Sequence, residues 1–287
     1  MQDYYIYHTF FLIFMFILGA AFGSFLCCQA RRLKLKEEGT KESSKSKSKS
    51  LGKRSVCLKC GYKLKWYDNL PILSWLFLKG KCRKCKKSIG LAELFSEIGL
   101  GLAFVLVSRS FNLEYITPFS LGEFLFIIIT TLSLGFLAIY DGIYGELPNF
   151  ALYFSLAFAV LLVILRQSSI FIYHGFTFQA LFGNLLPILL SALVLAGTYL
   201  VLYLVSKGKW VGDGDWLLAL TIALVVGSPW LSLLVLFLAN FLACLIYFPI
   251  LKSKKSKLKN AKIYLGPFLV AAFFIVFSFS DFFLSVL

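Results

Sequence analysis

Two aspartates stand where an apolar sequence rarely carries charge. Asp141 ends one apolar run, within Tyr-Asp-Gly-Ile-Tyr-Gly-Glu-Leu-Pro-Asn, and Asp215 opens another, within Gly-Asp-Gly-Asp. Burying an ionisable group is costly, so such residues are candidates for function. Two carboxylates brought together cannot both ionise easily, and they share one proton. The ionised member can then take a proton from water while the neutral one donates to a carbonyl oxygen, which is acid–base chemistry suited to peptide hydrolysis.

The residues around these aspartates also admit a simpler, structural interpretation. Gly212 and Gly214 remove side chains beside Asp215 and let another backbone or helix come close. On the other hand, Asp141 could cap a loop, and Asp213 or Asp215 could be the N-cap of a helix. A phosphate-binding loop is excluded because its Lys and Ser/Thr are missing. The spacing alone leaves the catalytic and capping interpretations open.

Four cysteines form a second candidate site. Cys57-x-x-Cys60 and Cys82-x-x-Cys85 are separated by 21 residues, one more than is usual for two turns that hold tetrahedral Zn²⁺. Gly61 suits a turn that needs positive φ. No His or carboxylate has a spacing that would leave an open coordination position, so we predict a structural zinc site. The alternative is a pair of free or redox dithiols.

The composition indicates that membrane helices carry these residues. The chain is 59% hydrophobic and 17% aromatic, with a mean hydropathy of +0.83, more apolar than a soluble domain. Apolar runs of roughly 17–25 residues predict spans. We therefore predict an all-α polytopic membrane protein of about eight transmembrane helices with a small zinc-knuckle cytoplasmic loop; a seven-span alternative fuses the sixth and seventh. The predicted spans are Tyr5–Cys28, Leu91–Ser108, Leu121–Tyr140, Phe150–Leu165, Ala180–Val205, Trp216–Gly227, Leu231–Ile250 and Ile263–Leu284.

The formal charge of +15 is concentrated in loops. Nineteen of the 29 Lys and Arg lie between Arg31 and Lys87, and six more between Lys252 and Lys262. The positive-inside rule then puts these loops and both aspartates near the cytoplasmic face, with the N-terminus outside. Basic residues in such loops meet anionic lipids, so we expect membrane lipids and no nucleic acid as partners.

The pattern divides the chain into three parts. We predict a first transmembrane helix over 1–28, a basic cytoplasmic loop with the four-cysteine zinc module over 29–90, and a seven-helix transmembrane domain that carries both aspartates over 91–287. Within the loop, Glu37–Arg54 is rich in Lys and Ser. Such a composition predicts a flexible linker, with a lipid-surface tether as the alternative.

Short motifs occur in the order found in one family of membrane enzymes. The chain resembles the type IV prepilin peptidases, which are GxGD intramembrane aspartyl proteases. The order of the motifs, more than any single one, carries the resemblance. Besides the cysteine tetrad, the motifs are Gly23-Ser24-Phe25-Leu26, Asp68-Asn69-Leu70-Pro71-Ile72-Leu73-Ser74-Trp75-Leu76, Glu93-Leu94, Asp141 with Leu147-Pro148-Asn149, Gly212-x-Gly214-Asp215 and Gly266-Pro267-Phe268-Leu269.

The resemblance implies a reaction. It implies that Asp141 and Asp215 are the catalytic pair and that the enzyme removes the basic leader of prepilins or pseudopilins at the cytoplasmic face of the bacterial inner membrane. The substrates would serve a type IV pilus, a competence pseudopilus or type II secretion. Many members also methylate the new N-terminus from S-adenosylmethionine, using the zinc-bearing region.

This sequence departs from the family pattern at three places. Cys27 stands where the family commonly has Asn, and Leu217 where it has Lys. The stretch Arg-Tyr-Pro expected before Glu93 is absent. The departures leave both aspartates in place, and some fall near the site that the resemblance implies for methylation.

Three alternatives compete with this interpretation. Presenilin-type enzymes also pair Tyr-Asp with GxGD, but they carry Pro-Ala-Leu in a late span and no cysteine tetrad. A proton- or ion-coupled transporter could use paired aspartates as a relay, although no internal repeat relates the segments around Asp141 and Asp215. The third alternative is a non-enzymatic assembly factor with a zinc module.

Overall fold

The computed structural model describes residues 2–41, 57, 60–109, 111, 117–174, 178–253 and 264–286. Across those residues the chain is helical and has no strand, apart from one isolated bridge between Lys81 and Ser88. The all-α prediction is confirmed. In chain order the elements are α1 (Gln2–Lys41), the 3-10 helix η1 (Trp66–Asn69), α2 (Leu73–Phe77), α3 (Ala92–Ser108), α4 (Pro118–Tyr144), α5 (Asn149–His174), α6 (Phe178–Ser206), α7 (Asp213–Val226), α8 (Pro229–Ser253), α9 (Gly266–Ser278) and α10 (Ser280–Val286).

Helices occupy all eight places where spans were predicted, but with unequal lengths, and the eighth predicted span is divided into α9 and α10 at Phe279. In the described part of the chain, five are long and apolar enough to cross a membrane, namely Ile6–Glu37, Pro118–Tyr144, Asn149–Ile172, Phe182–Ser206 and Pro229–Pro249. The helices α3, α7 and α9 have 17, 14 and 13 residues, or about 20–25 Å at 1.5 Å per residue. Gly227, at φ +67°, ends α7 before Pro229 begins α8. The chain is an integral membrane protein, and its sixth and seventh predicted spans are separate helices.

The first helix is longer than predicted. It continues from the predicted end at Cys28 to Lys41, and so includes Glu37–Lys41, which we expected to be flexible. The segment Gln29–Lys41 is rich in Ala, Arg, Leu, Lys and Glu, all strong helix formers, so the helix outlasts its apolar part. The rest of the predicted linker, up to Arg54, lies outside the described residues.

The chain forms two compact units, Met1–Val105 and Leu106–Leu287. The three segments predicted from the sequence stay a prediction. In the first unit, small residues let α1 approach α3. A Cβ added to Gly19 would lie 2.6 Å from the carbonyl oxygen of Leu100, and one added to Gly23 would lie 2.3 Å from that of Ser96. The spacing of these glycines is the small-xxx-small pattern of close helix pairs in membranes.

In the second unit, α7 is the central helix. It packs against α5, α6, α8 and α9, and Leu218, Ala219, Ile222 and Ala223 are fully buried on it. A helix that is apolar all round belongs inside a bundle. Both α5 and α9 also pack against α4. The helices that carry Asp141 and Asp215 therefore share two neighbours.

Candidate active site and metal centre

The two predicted catalytic aspartates are both buried inside the second unit, and the charge of one acts on the other. Asp141 lies in the last turn of α4 and Asp215 in the first turn of α7. Their exposed fractions are only 5% and 9%, and the charge of Asp215 acts on Asp141. Buried carboxylates that act on each other through their charges do not both ionise easily.

Each aspartate accepts a hydrogen bond from the start of a helix. The N–H of Gly266, the first residue of α9, donates to Oδ2 of Asp141 at 2.9 Å. The N–H of Gly212, the N-cap of α7, donates to Oδ2 of Asp215, also at 2.9 Å. Such N–H groups lack intrahelical partners and favour a carboxylate. Among the described residues, the other oxygen of each carboxylate, Oδ1, accepts no hydrogen bond. One oxygen of each group is thus anchored, and the other is left for chemistry.

The alternative that Asp213 or Asp215 is the N-cap of α7 is wrong, because the N-cap is Gly212. Asp215 is the third residue of the helix, and its side chain accepts a hydrogen bond from the Gly212 N–H. A side chain whose only task is to cap a helix does not need to be buried, whereas Asp215 is, and its charge acts on a second buried carboxylate. Asp213, two residues earlier, is exposed, although its charge also acts on Asp215.

Three motifs that are distant in sequence meet at this point. A Cβ on Gly214 would lie 2.9 Å from Leu147 Cβ, and one on Gly266 would lie 2.6 Å from Asp141 Oδ2. Any side chain at either glycine would displace its neighbour. The expectation that glycine beside Asp215 admits a close neighbour is therefore confirmed, and that neighbour is the segment following Asp141.

Sequence reasoning missed two polar side chains in this unit, Tyr199 of α6 and Asn240 of α8. Asn240 Nδ2 donates to the Tyr199 hydroxyl at 3.2 Å, and the charge of Asp215 acts on Tyr199. The sequence did contain a signal for these two residues, because polar side chains within apolar spans are costly to bury and mark candidate sites. Gly266 was found only as part of a motif; its N–H donor could not be seen in the sequence.

The four predicted metal ligands come together in the first unit. The Sγ atoms of Cys57, Cys60, Cys82 and Cys85 all lie within 4.8 Å of one another. The pairs Cys57–Cys85 and Cys60–Cys82 are 4.0 Å apart. Tetrahedral Zn²⁺ with Zn–S bonds of about 2.3 Å places its sulfurs about 3.8 Å apart. The cluster therefore fits a metal ion of that geometry.

Both cysteine pairs use the same turn. Cys57 N–H donates to Tyr62 O and Gly61 N–H to Cys57 O, each at 2.8 Å; Cys82 N–H donates to Lys87 O and Lys86 N–H to Cys82 O, each at 2.9 Å. The fourth residue after each leading cysteine has positive φ, +70° at Gly61 and +55° at Lys86. The positive φ expected at Gly61 is confirmed. Hydrogen bonds donated by the backbone of Cys85 and Lys84 lower the pKa of the Cys82 thiol to about 7, despite desolvation. For Cys60 the backbone of Tyr62 acts in the same direction, but desolvation and the other three cysteines outweigh it and raise the pKa to about 11.

Asp68 ties the two turns together. Its buried carboxylate accepts from Arg83 Nε at 2.8 Å, from the N–H of Lys65 at 3.1 Å and from the Tyr62 hydroxyl at 3.3 Å. Desolvation works against the charged form, but these donors outweigh it and hold the pKa of Asp68 below its usual value. The first residue of the Asp68–Leu76 motif is therefore a structural link between the cysteine turns.

The first unit also contains a cavity of about 500 Å³. Glu93 and Glu97 of α3, Arg31 of α1, and Trp75 are among its lining residues. Arg31 pairs with Glu93 Oε1, while the buried Oε2 of Glu93 has no hydrogen-bond partner among the described residues. Glu97 accepts from the N–H of Ile72 at 2.6 Å, and Ile72 has φ +61°, a conformation rare for a β-branched residue. Strain and an unpaired buried oxygen beside a cavity are typical of ligand sites.

Residues 17–111 match the family model of the bacterial peptidase A24 N-terminal domain. The likeness to type IV prepilin peptidases is thereby confirmed. Among curated relatives, the chain is similar to the prepilin leader peptidase/N-methyltransferase of Myxococcus xanthus, with 35% identity over 105 residues, covering 37% of this chain and 28% of that protein. The enzyme of the same name from Vibrio cholerae is 53% identical over 45 residues, covering 16% of this chain and 18% of that enzyme.

A third relative has a different name. It is the type 4 prepilin-like proteins leader peptide-processing enzyme of Escherichia coli, 44% identical over 55 residues, covering 19% of this chain and 20% of that enzyme. The matched segments therefore cover less than a third of the length of each of these three relatives. No solved structure matches the chain.

Proposed function

We propose that this membrane protein is an aspartyl endopeptidase that removes the basic leader from prepilin-like precursors at the cytoplasmic face of the bacterial inner membrane. The observation that carries the proposal is the buried pair Asp141 and Asp215, each with one oxygen held by a helix N-terminus and the other accepting no hydrogen bond from the residues that the structure describes. The names of the relatives support the substrate class. The concentration of Lys and Arg in residues 31–87 and 252–262, loops that the predicted topology puts on the same side of the membrane as both aspartates, supports the cytoplasmic face.

The anchored carboxylates have a defined task in this reaction. With Oδ2 of each fixed by Gly266 or Gly212, the Oδ1 atoms hold their positions without a cost in side-chain entropy. An ionised Oδ1 takes the proton of an attacking water, and the neutral partner donates a proton to the oxygen of the scissile carbonyl. Zinc held by the four cysteines would stabilise the loop, because a site closed by four thiolates has no position for water.

The decisive experiment replaces each aspartate by its isosteric amide. Asp141→Asn and Asp215→Asn should each lower cleavage of a co-expressed prepilin by roughly 10²–10⁴-fold or more, because an amide cannot exchange the shared proton. Asp213→Asn is the matched control on the same helix turn and should retain most activity. Wild-type rates in either single variant, with insertion verified, would contradict the mechanism. An essential Asp213 with a dispensable Asp215 would show that the pair is misassigned.

The cavity of the first unit favours a second activity. The relatives' names include N-methyltransferase, and a 500 Å³ cavity is within the range of small-ligand sites. S-adenosylmethionine supplies a methyl group and carries cationic and anionic ends. The carboxylates of Glu93 and Glu97 suit its cationic centres, and Arg31 suits its carboxylate. We therefore place methyl-donor binding in this cavity.

Binding can be measured without turnover. Equilibrium dialysis of purified protein with labelled S-adenosylmethionine should show one site, weakened tenfold or more in Glu93→Gln, since the buried Oε2 loses its charge. Asp213→Asn, which is exposed and belongs to the other unit, serves as control. Unchanged affinity in Glu93→Gln would remove the cavity from consideration.

A transporter that uses the aspartates as a proton relay is not favoured. The relatives that the chain resembles are named as processing enzymes. A transport role would also leave unexplained why the chain carries the N-terminal domain of a peptidase family.

A further inference from the structure

Hydrogen bonds fix the register of three neighbouring helices in the second unit. The Ser191 hydroxyl of α6 lies 2.8 Å from the carbonyl oxygen of Ala223 on α7 and 2.6 Å from the Ser232 hydroxyl of α8. Eight residues further along both α6 and α8, Asn240 bonds to Tyr199. Equal steps in the same direction mean that α6 and α8 run parallel.

The same register places Asp215 at the level of the hydrogen bond between Asn240 and Tyr199. Short connections join α6 to α7 and α7 to α8, so α7 runs opposite to both. Eight residues back from Ala223 on α7 is Asp215. Eight residues of helix rise about 12 Å. Tyr199, Asp215 and Asn240 therefore lie at one level, about 12 Å from the level of the two serines, and the charge of Asp215 is accordingly felt at Tyr199.

The hydrogens at this level can be assigned. Asn240 Nδ2 lies 2.8 Å from the carbonyl oxygen of Leu236, which can only accept, so this atom is the amide nitrogen. Its second hydrogen goes to Tyr199, whose oxygen is then an acceptor. The hydroxyl hydrogen of Tyr199 remains. Tyr199 is only 1% exposed, and no acceptor for that hydrogen is found in the described part of the chain. A buried hydroxyl hydrogen requires an acceptor.

We propose that Tyr199 is a positioning residue for the aspartate pair: held by Asn240, its hydroxyl donates through one water to Oδ1 of Asp215. Asp215 then receives two donors, from Gly212 and, through that water, from Tyr199, whereas Asp141 receives one, from Gly266. Donors stabilise the charged form of a carboxylate. The additional donor favours Asp215 as the ionised member that accepts the proton from water and Asp141 as the neutral donor, although the charge of Asp213 acts on Asp215 in the opposite sense. This inference rests on the proposed peptidase function.

The test uses full-length protein in membranes and separates kcat from KM. Tyr199→Phe, which preserves volume, should lower kcat for prepilin cleavage by about 10- to 100-fold and leave KM unchanged. The matched control is Tyr203→Phe, one turn further along α6, which should cleave at the wild-type rate. An unchanged kcat in Tyr199→Phe would overturn the proposal, as would a raised KM with normal kcat, which would indicate substrate binding instead.

Asn240 supplies an independent variant that leaves Tyr199 in place. Asn240→Ala should lower kcat less than Tyr199→Phe does, and the double variant should be no slower than Tyr199→Phe alone, because both changes act on one hydroxyl. Additive losses would show that Asn240 does not act through Tyr199. The Asp215→Asn variant shows which of the two proposals fails. If it is inactive while Tyr199→Phe is normal, only the positioning role of Tyr199 fails. If Asp215→Asn is active, the peptidase proposal itself fails.

Discussion

The two candidate sites of this chain are built over very different sequence distances. The cysteine cluster is held by short-range hydrogen bonds, from Cys57 to Tyr62 and from Cys82 to Lys87. The aspartate pair depends on contacts such as that of Gly266 with Asp141, across 125 residues. One site is a local structure repeated twice, and the other exists only when four helices are packed.

The difference predicts that the two sites respond differently to a change in their surroundings. A turn of six residues that closes its own hydrogen bonds needs little from the rest of the fold, although a small basic loop needs its metal to stay ordered. Local hydrogen bonds alone do not position the aspartates, because α5 and α9 must hold α4 and α7 in register. Small errors of packing should therefore affect the aspartates far more than the cysteines.

Apart from replacement of the aspartates themselves, the largest effect is expected from one methyl group added at Gly266. In Gly266→Ala the Cβ would lie 2.6 Å from Asp141 Oδ2, so the carboxylate or α9 must move and the anchoring hydrogen bond weakens. Misplacement of about 1 Å can cost roughly 10²-fold in rate, and we expect that loss of prepilin cleavage with unchanged zinc content. The control is Gly183→Ala on α6, where nothing lies within 4 Å; it should cleave normally. Normal cleavage by Gly266→Ala would show that the aspartates tolerate loose packing.

A smaller effect on cleavage is expected from loss of the metal. Cys57→Ser/Cys60→Ser should abolish zinc binding, measured by elemental analysis against one zinc per wild-type chain, and should loosen residues 57–87. Cleavage should fall less than in Asp141→Asn, because a closed four-thiolate site cannot activate water. Cys244→Ser, at an exposed cysteine outside the cluster, is the matched control. Complete loss of cleavage in an inserted, metal-free variant would place the loop in the protease site.

The same contrast governs what the sequence could predict. The cysteine tetrad and the positive φ of Gly61 follow from spacing and residue type, which act locally. The positions of eight apolar helices follow from hydropathy. Three features depend on how the helices pack, and a single sequence does not reveal that packing. They are the burial of α7, the N–H donor of Gly266, and the common level of Tyr199 and Asp215 along the helix axes. The length of α1 was underestimated because we read its apolar part and neglected the helix formers beyond it.

The smallest effect is expected within the cysteine turns, where the two pairs can be compared directly. Gly61 and Lys86 hold equivalent positions at φ +70° and +55°, a conformation that costs a residue with a Cβ about 1–2 kcal/mol. Gly61→Ala meets no neighbour within 4 Å, so only this backbone strain applies, and zinc affinity should fall by roughly 5- to 30-fold. Lys86→Gly should relieve strain in the second turn and raise the affinity by a similar factor. Competition with a zinc chelator measures both. If Gly61→Ala binds zinc as tightly as wild type, the turn does not enforce positive φ, and its geometry is set by the metal rather than by the backbone.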